Sequence, residues 1–172
     1  EETLTILGKR TQSLVQLQYK ILNQSVLPEL KKEGINLLNF DDLNNQQQRW
    51  ASAYFKNNVL PILTPLGLDP LHPFPKVLNK SLNFIIEMRG NDSYGRKGRV
   101  AIVQAPRLLS RIIEIPKKIK VTETTFINLS SLIAAHAASI FPGMEIIGIF
   151  QFRVTRNSDL YVDDEEVTDL RQ

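Results

Sequence analysis

Five of the nine prolines fall within sixteen residues, Pro61 to Lys76 (PILTPLGLDPLHPFPK). Neither a helix nor a central strand can run through such a stretch, because each proline removes a backbone donor and fixes φ. Its leucines and Phe74 still favour burial, so the segment reads as an ordered, packed loop rather than a flexible linker. It divides the chain into a helical first third and a remainder patterned mainly as strands.

On the N-terminal side, residues 4–33 read as one long helix. Leu7, Leu14 and Ile21 recur at seven, with Leu4, Leu17, Leu22 and Leu30 beside them, an apolar stripe at helical spacing. Gly34 is placed to end it, with Lys31 and Lys32 in the last turn. Pro28 predicts a kink near Gln24 to Leu27. Such a helix needs helical partners to bury its stripe, and the sequence offers none nearby, so partners upstream of Glu1 are expected. After a short link at 34–38 a second helix begins, with Asp41 or Asp42 as N-cap. Trp50, Phe55, Val59 and Leu60 form its apolar face, and Pro61 breaks it.

On the C-terminal side, residues 81–89 and 99–104 read as a hairpin around the turn-rich loop 90–98. Residues 112–115 and 124–128 read as short strands. A single alanine-rich helix from Leu129 closes at Pro142-Gly143. Residues 145–155 (EIIGIFQFRVT) are the strongest strand pattern in the chain, with Gly148 marking a bulge or a close approach. From Val162 another helix begins. These elements predict an α+β fold class: a long N-terminal helix, then a mostly antiparallel sheet with packed helices.

The chain of 172 residues has no cysteine, which excludes disulfides, thiolate metal sites and a cysteine nucleophile. No apolar run is long enough to span a bilayer. The net charge is only +3, but it is unevenly spread. Residues 89–120 hold nine basic and two acidic residues, a local +7, and residues 157–172 hold six acids and one arginine, a local −5. A polyanion-facing patch and ordinary solubilising charge both account for this. Aromatic residues do not interleave with the basic ones, so nucleic acid is not an expected partner.

The usual catalytic patterns are missing. His72 lies between prolines and His136 among alanines, with no acid at ligand spacing. Asp163, Asp164, Glu165 and Glu166 read as helix N-terminal acids opposing the macrodipole. No phosphate-binding glycine loop occurs. Arg96, Lys97 and Arg99 form a basic, glycine-bracketed hairpin tip. Arg153 and Arg156 sit at the end of the last strand, where they could meet phosphate oxygens or pair with Asp159, Asp163 or Asp164.

Several phrases in order carry a resemblance: residues 63–75 (LTPLGLDPLHPFP), 79–83 (NKSLN), 152–160 (FRVTRNSDL) and 162–166 (VDDEE). Together they resemble the bacterial polyphosphate kinase family. The resemblance implies that residues 1–33 are the last helix of an N-terminal helical domain. It implies that residues 34–172 are most of the middle, or head, domain, continuing past Gln172. It further implies a parent enzyme that transfers the ATP γ-phosphate reversibly to polyphosphate through a phosphohistidine, using ATP and Mg²⁺. The histidines and magnesium-binding arginines of that chemistry belong to C-terminal domains, and the ATP-contacting asparagine lies upstream. No catalytic, cofactor-binding or metal-binding residue is therefore carried onto this chain. What remains is a non-catalytic structural and oligomerisation role, or alternatively a polyphosphate-binding module. For the latter, Arg153, Arg156, Arg96, Lys97 and Arg99 are the candidate anion contacts. The implied partners are the other domains of the parent and a second copy of it. The implied location is cytoplasmic, or peripheral to the inner membrane.

Overall fold

Helix α1 (Glu2–Ile21) forms where straight-chain residues and leucines dominate. In the computed structural model, which describes residues 2–68, 74–90, 100–117 and 123–155, its regular geometry ends at Ile21, ahead of Pro28. It widens into a π-helical turn over Leu22–Val26, with the Leu27 N–H donating to the Leu22 carbonyl, and resumes as α2 (Leu27–Lys32). The cause is the one expected: Pro28 has no N–H for the Gln24 carbonyl, and a π turn absorbs the mismatch. Gly34 ends α2 with φ +74°, its N–H donating to the Lys31 carbonyl at 3.1 Å, as a C′ glycine does. No residue of α1 is buried.

The described residues cluster into two compact units, 1–54 with 110–135 and 55–109 with 136–172. The first unit holds a three-stranded sheet in the order β1-β6-β5 (Ile35–Leu38, Thr124–Asn128, Ile112–Ile115). Residues 35–38 are thus a strand and not a link. β1 runs parallel to β6, in register from Ile35 with Thr124 to Leu38 with Ile127, and that pairing spans almost ninety residues of chain. β5 and β6 pair antiparallel, setting Ile113 opposite Ile127. Helix α4 (Leu129–Ala135) follows β6 directly and buries Leu129, Leu132 and Ile133, the i, i+3, i+4 face. The Ser131 hydroxyl accepts the Phe40 N–H at 2.7 Å, fixing the 3₁₀ turn at Phe40–Asp42.

Helix α3 (Asn45–Tyr54) is capped by Asn44, not by Asp41 or Asp42. The Asn44 Oδ1 accepts the N–H groups of Gln46 and Gln47, each at 3.0 Å, and Gln47 Oε1 accepts the Asn44 N–H at 3.0 Å. That is a reciprocal capping box. Asp42 instead accepts the Asn39 N–H and belongs to the preceding turn. The two acids lost the position because Leu43 is needed inside, 5% exposed, and the chain turns there before the helix can start.

The second unit holds a four-stranded antiparallel sheet in the order β2-β4-β3-β7 (Thr64–Gly67, Val100–Ala105, Leu82–Arg89, Glu145–Phe152). Part of the proline-rich stretch is therefore a strand, and Pro65 is accommodated because β2 is an edge. One face of β3 buries Phe84, Ile86 and Met88, beside Ala101, Val103 and Ala105 of β4. Phe55, Val59, Ala137 and Ile140 are buried in the same unit. The strand with the strongest sequence signal, β7, proves to be an edge strand, with Ile147 and Phe150 exposed. Its pairing with β3 slips between Gly148 and Ile146, so Ile147 is the extra residue of a β-bulge. Gly148 has no side chain because the Phe150 ring lies over it: a Cβ there would sit 2.8 Å from Phe150 Cε2.

The alanine-rich helix expected from Leu129 is not continuous. His136 leaves helical geometry (φ −112°, ψ 18°) between α4 and α5 (Ala137–Ile140). Its ring stacks on Phe55 at 4.6 Å between centroids and 18° between planes. Within the second unit the burial contrast sets a test. Phe84→Ala is expected to lower stability by about 3–5 kcal/mol, and Phe150→Ser by less than about 0.5 kcal/mol. Urea unfolding followed by circular dichroism checks both.

Candidate functional site

The polar groups that need explaining gather where β3 begins and β4 and β7 end. The sequence Asn79-Lys80-Ser81-Leu82-Asn83 makes a tight turn into β3. Lys80 has φ +55°, the single non-glycine residue in left-handed geometry among those described. That conformation costs a residue with a Cβ about 1–2 kcal/mol, so the surroundings must hold it. They do so through three elements. The Lys80 N–H donates to the Val154 carbonyl at 2.8 Å, just past β7. The Ser81 hydroxyl donates to the Leu78 carbonyl at 2.6 Å. Arg107, just past β4, reaches back and donates through Nη2 to the Asn79 carbonyl at 2.7 Å.

Beneath the turn lies Asn83, fully buried, opposite Gln104 on β4 and Phe152 on β7. Its Nδ2 donates to the Ser81 carbonyl and to Ser81 Oγ, each at 3.0 Å. The Gln104 amide approaches the same hydroxyl at 3.5 Å. The Asn83 Oδ1 is buried with no hydrogen-bond partner among the described residues. Flipping the amide does not help, since it would set oxygen against the Ser81 carbonyl. A buried acceptor left unpaired costs about 1–3 kcal/mol, so this corner carries a deliberate polar group inside an apolar sheet.

Among the described residues of this unit, the charges near the turn share one sign. Lys80, Arg107 and Arg153 each lie at the Asn79–Lys80 turn or within one residue of its hydrogen-bond partners, and all three are exposed. Among the described residues of this unit the acids are Glu87 and Glu145. Both lie towards the far end of the sheet, where Glu145 stands opposite Arg89. Of the candidate anion contacts, Arg153 is thus placed just past the end of β7, while Arg156, Arg96, Lys97 and Arg99 lie outside the described residues. So do His72 and the acids at 163–166. Arg107 was visible in sequence only as one of the nine basic residues of 89–120, and Lys80 was not singled out. Within the basic stretch 89–120, Arg89 and Arg107 lie towards opposite ends of the second sheet, and Arg111 and Lys117 belong to the first unit.

Two other places were candidates. An open depression of about 480 Å³ on the first unit is lined by Phe40, Asn45, Gln48, Arg49 and Ser52; Arg49 is its one ionisable side chain. His136 is half-buried in its stack with Phe55. Among the described residues no group of three His, Cys, Asp or Glu could hold a metal ion. No described helix is long and apolar enough to cross a membrane.

The architecture is thus α+β, with one mixed three-stranded sheet, one antiparallel four-stranded sheet, a long exposed helix and a cationic turn. A family model described as the polyphosphate kinase middle domain matches residues 46–172. The chain belongs to that family. A polyphosphate kinase of Burkholderia multivorans is 47% identical over 163 residues, 95% of this chain and 24% of the relative. One of Neisseria meningitidis serogroup C is 46% identical over 170 residues, 99% and 25%. The crystal structure of a polyphosphate kinase from Porphyromonas gingivalis shares the fold, with a TM-score of 0.79 at 20% identity, over 90% of this chain and 26% of that one. The chain therefore spans about a quarter of the length of these relatives.

The buried amide sets a test of this corner. Asn83→Asp would place a carboxylate against the Ser81 carbonyl and is expected to cost more than about 2 kcal/mol at neutral pH. An unchanged thermal midpoint would show that the amide is not locked as described.

Proposed function

We propose that this chain is a non-catalytic structural domain of a polyphosphate kinase, working in packing and oligomerisation of the longer enzyme. Residues 1–33 then close a preceding helical domain and residues 34–172 form the middle domain. The parent enzyme would transfer the γ-phosphate of ATP reversibly to polyphosphate through a phosphohistidine on another domain, with Mg²⁺ and ATP held by residues outside this chain. The observation that carries this reading is the surface left to be covered. Leu4, Leu7, Leu14, Leu17 and Ile21 are 49–73% exposed along one helix, and Leu66 and Phe150 are exposed on one sheet. Apolar area of this extent marks an interaction surface. A domain that makes up a quarter of its relatives' length has neighbours to supply the cover.

Labelled ATP tests it. The 172-residue chain incubated with γ-labelled ATP and Mg²⁺ is expected to incorporate no phosphate, while the longer enzyme does, outside these residues. Label on His72 or His136 would overturn the reading.

A second reading, polyphosphate binding, is supported by the one-signed charge at the end of the second sheet. Such binding would be electrostatic and steeply salt-dependent, as counterions are released from the chain of phosphates. Affinity for long-chain polyphosphate, measured between about 50 and 200 mM salt, is expected to fall at least tenfold. Absence of binding at the lower salt would remove this reading.

A further inference from the structure

We infer that Lys80, with Arg107 and Arg153, forms a preorganised anchoring point for the phosphate groups of a polyphosphate chain. The inference rests on the second reading above and gives it a location that the sequence did not. Lys80 is the key. A lysine added only for solubility can sit at any exposed position, and a left-handed turn residue is ordinarily glycine or asparagine. Here a lysine occupies the strained position (φ +55°). The turn is tied to both neighbouring strands, through Val154 at the end of β7 and through Arg107 at the end of β4.

Those ties fix the backbone from which the ammonium projects. Arg107 spends one N–H on the Asn79 carbonyl, which holds the guanidinium beside the turn, and a guanidinium has five N–H donors in all. Arg153 precedes the residue whose carbonyl holds the turn. The described acids of the unit stand away from this end of the sheet, towards Gly148 and Arg89. Three cations around a rigid turn suit a ligand that repeats negative charge along its length. Guanidinium and ammonium groups are the phosphate-binding side chains of choice. The Ser81 hydroxyl and carbonyl, held by the buried Asn83 amide and approached by Gln104, lock the entry into β3 below, so the ligand meets a surface already in place.

The test uses the full-length kinase, with long-chain polyphosphate as probe and thermal midpoints recorded throughout. Lys80→Gln is expected to weaken binding about fivefold or more and to lower the salt slope by about one. Lys80→Arg should bind as the wild type does. Lys80→Gly decides between charge and geometry: it relieves the backbone, so its midpoint should hold or rise while its binding falls as in Lys80→Gln. Wild-type affinity in Lys80→Gly and Lys80→Gln would overturn the inference while leaving polyphosphate binding standing. Failure of the wild-type enzyme to bind in a salt-dependent way would overturn the polyanion reading itself. Equal binding of a single-stranded RNA of matched charge, lost equally in Lys80→Gln, would assign the cluster to nucleic acid and overturn it too.

Discussion

Strand β3 is paired on both sides, with β4 and with β7, and the second unit is organised around that double pairing. A strand bonded on both edges has its register fixed twice. A slip of one residue would turn Phe84, Ile86 and Met88 out of the core and carry Glu87 into it. Burying a side chain of the size of Phe or Ile is worth about 1.5–3 kcal/mol, so three of them opposing a slip make the register secure. Everything polar at the head of β3 inherits that security. The turn at Asn79–Lys80 can hold a left-handed lysine because both strands beside it are already placed.

The hydrophobic face and the polar corner depend on each other in the other direction as well. An apolar residue at position 83 would extend the core but would leave the Ser81 carbonyl and hydroxyl without the amide that now donates to both. The amide nitrogen satisfies two acceptors, and the amide oxygen finds no partner among the described residues. Polar groups retained in a core against their desolvation cost can specify a conformation as well as stabilise it. Here the conformation specified is the path of the chain into its central strand.

Much of this was legible in the sequence, and the failures share a cause. Short-range signals read well. Gly34 ends a helix, Pro28 disturbs one, the 112–115 and 124–128 strands fall on their stated residues, and Gly148 marks a bulge, whereas Pro61 lies inside a 3₁₀ turn at Leu60–Ile62 after α3 has ended at Tyr54. The features missed depend on contacts distant in sequence. The strand at Ile35–Leu38 exists only because β6, almost ninety residues later, pairs with it in parallel. Pro65 is in a strand only because β2 lies at an edge. β7 looks buried by composition, yet its exposed edge is set by strand order, which no local pattern encodes. The alanine run from Leu129 gave no sign that His136 would break it, since the stack on Phe55 joins residues eighty-one positions apart. At the candidate site Arg153 was visible as a cation at a strand end. Lys80 was not, because a left-handed lysine looks like any other lysine until its φ is known.

The long first helix shows how one backbone irregularity changes what an apolar stripe can reach. A seven-residue repeat through Leu7, Leu14 and Ile21 would bring Pro28 next onto the same line. The π turn at Leu22–Val26 interposes a residue and rotates α2 relative to α1 by about a hundred degrees, the angle per residue of a helix. Beyond it the half-buried positions are Leu27 and Leu30, while Pro28 is exposed. The helix thus presents two apolar lines. One, after the turn, lies on α2, which contacts β1 of the first unit. The other, before the turn, stays exposed for most of α1. A straight helix with a single stripe could not serve a sheet at one end and a different surface at the other, whereas a helix re-phased by a proline-induced π turn can.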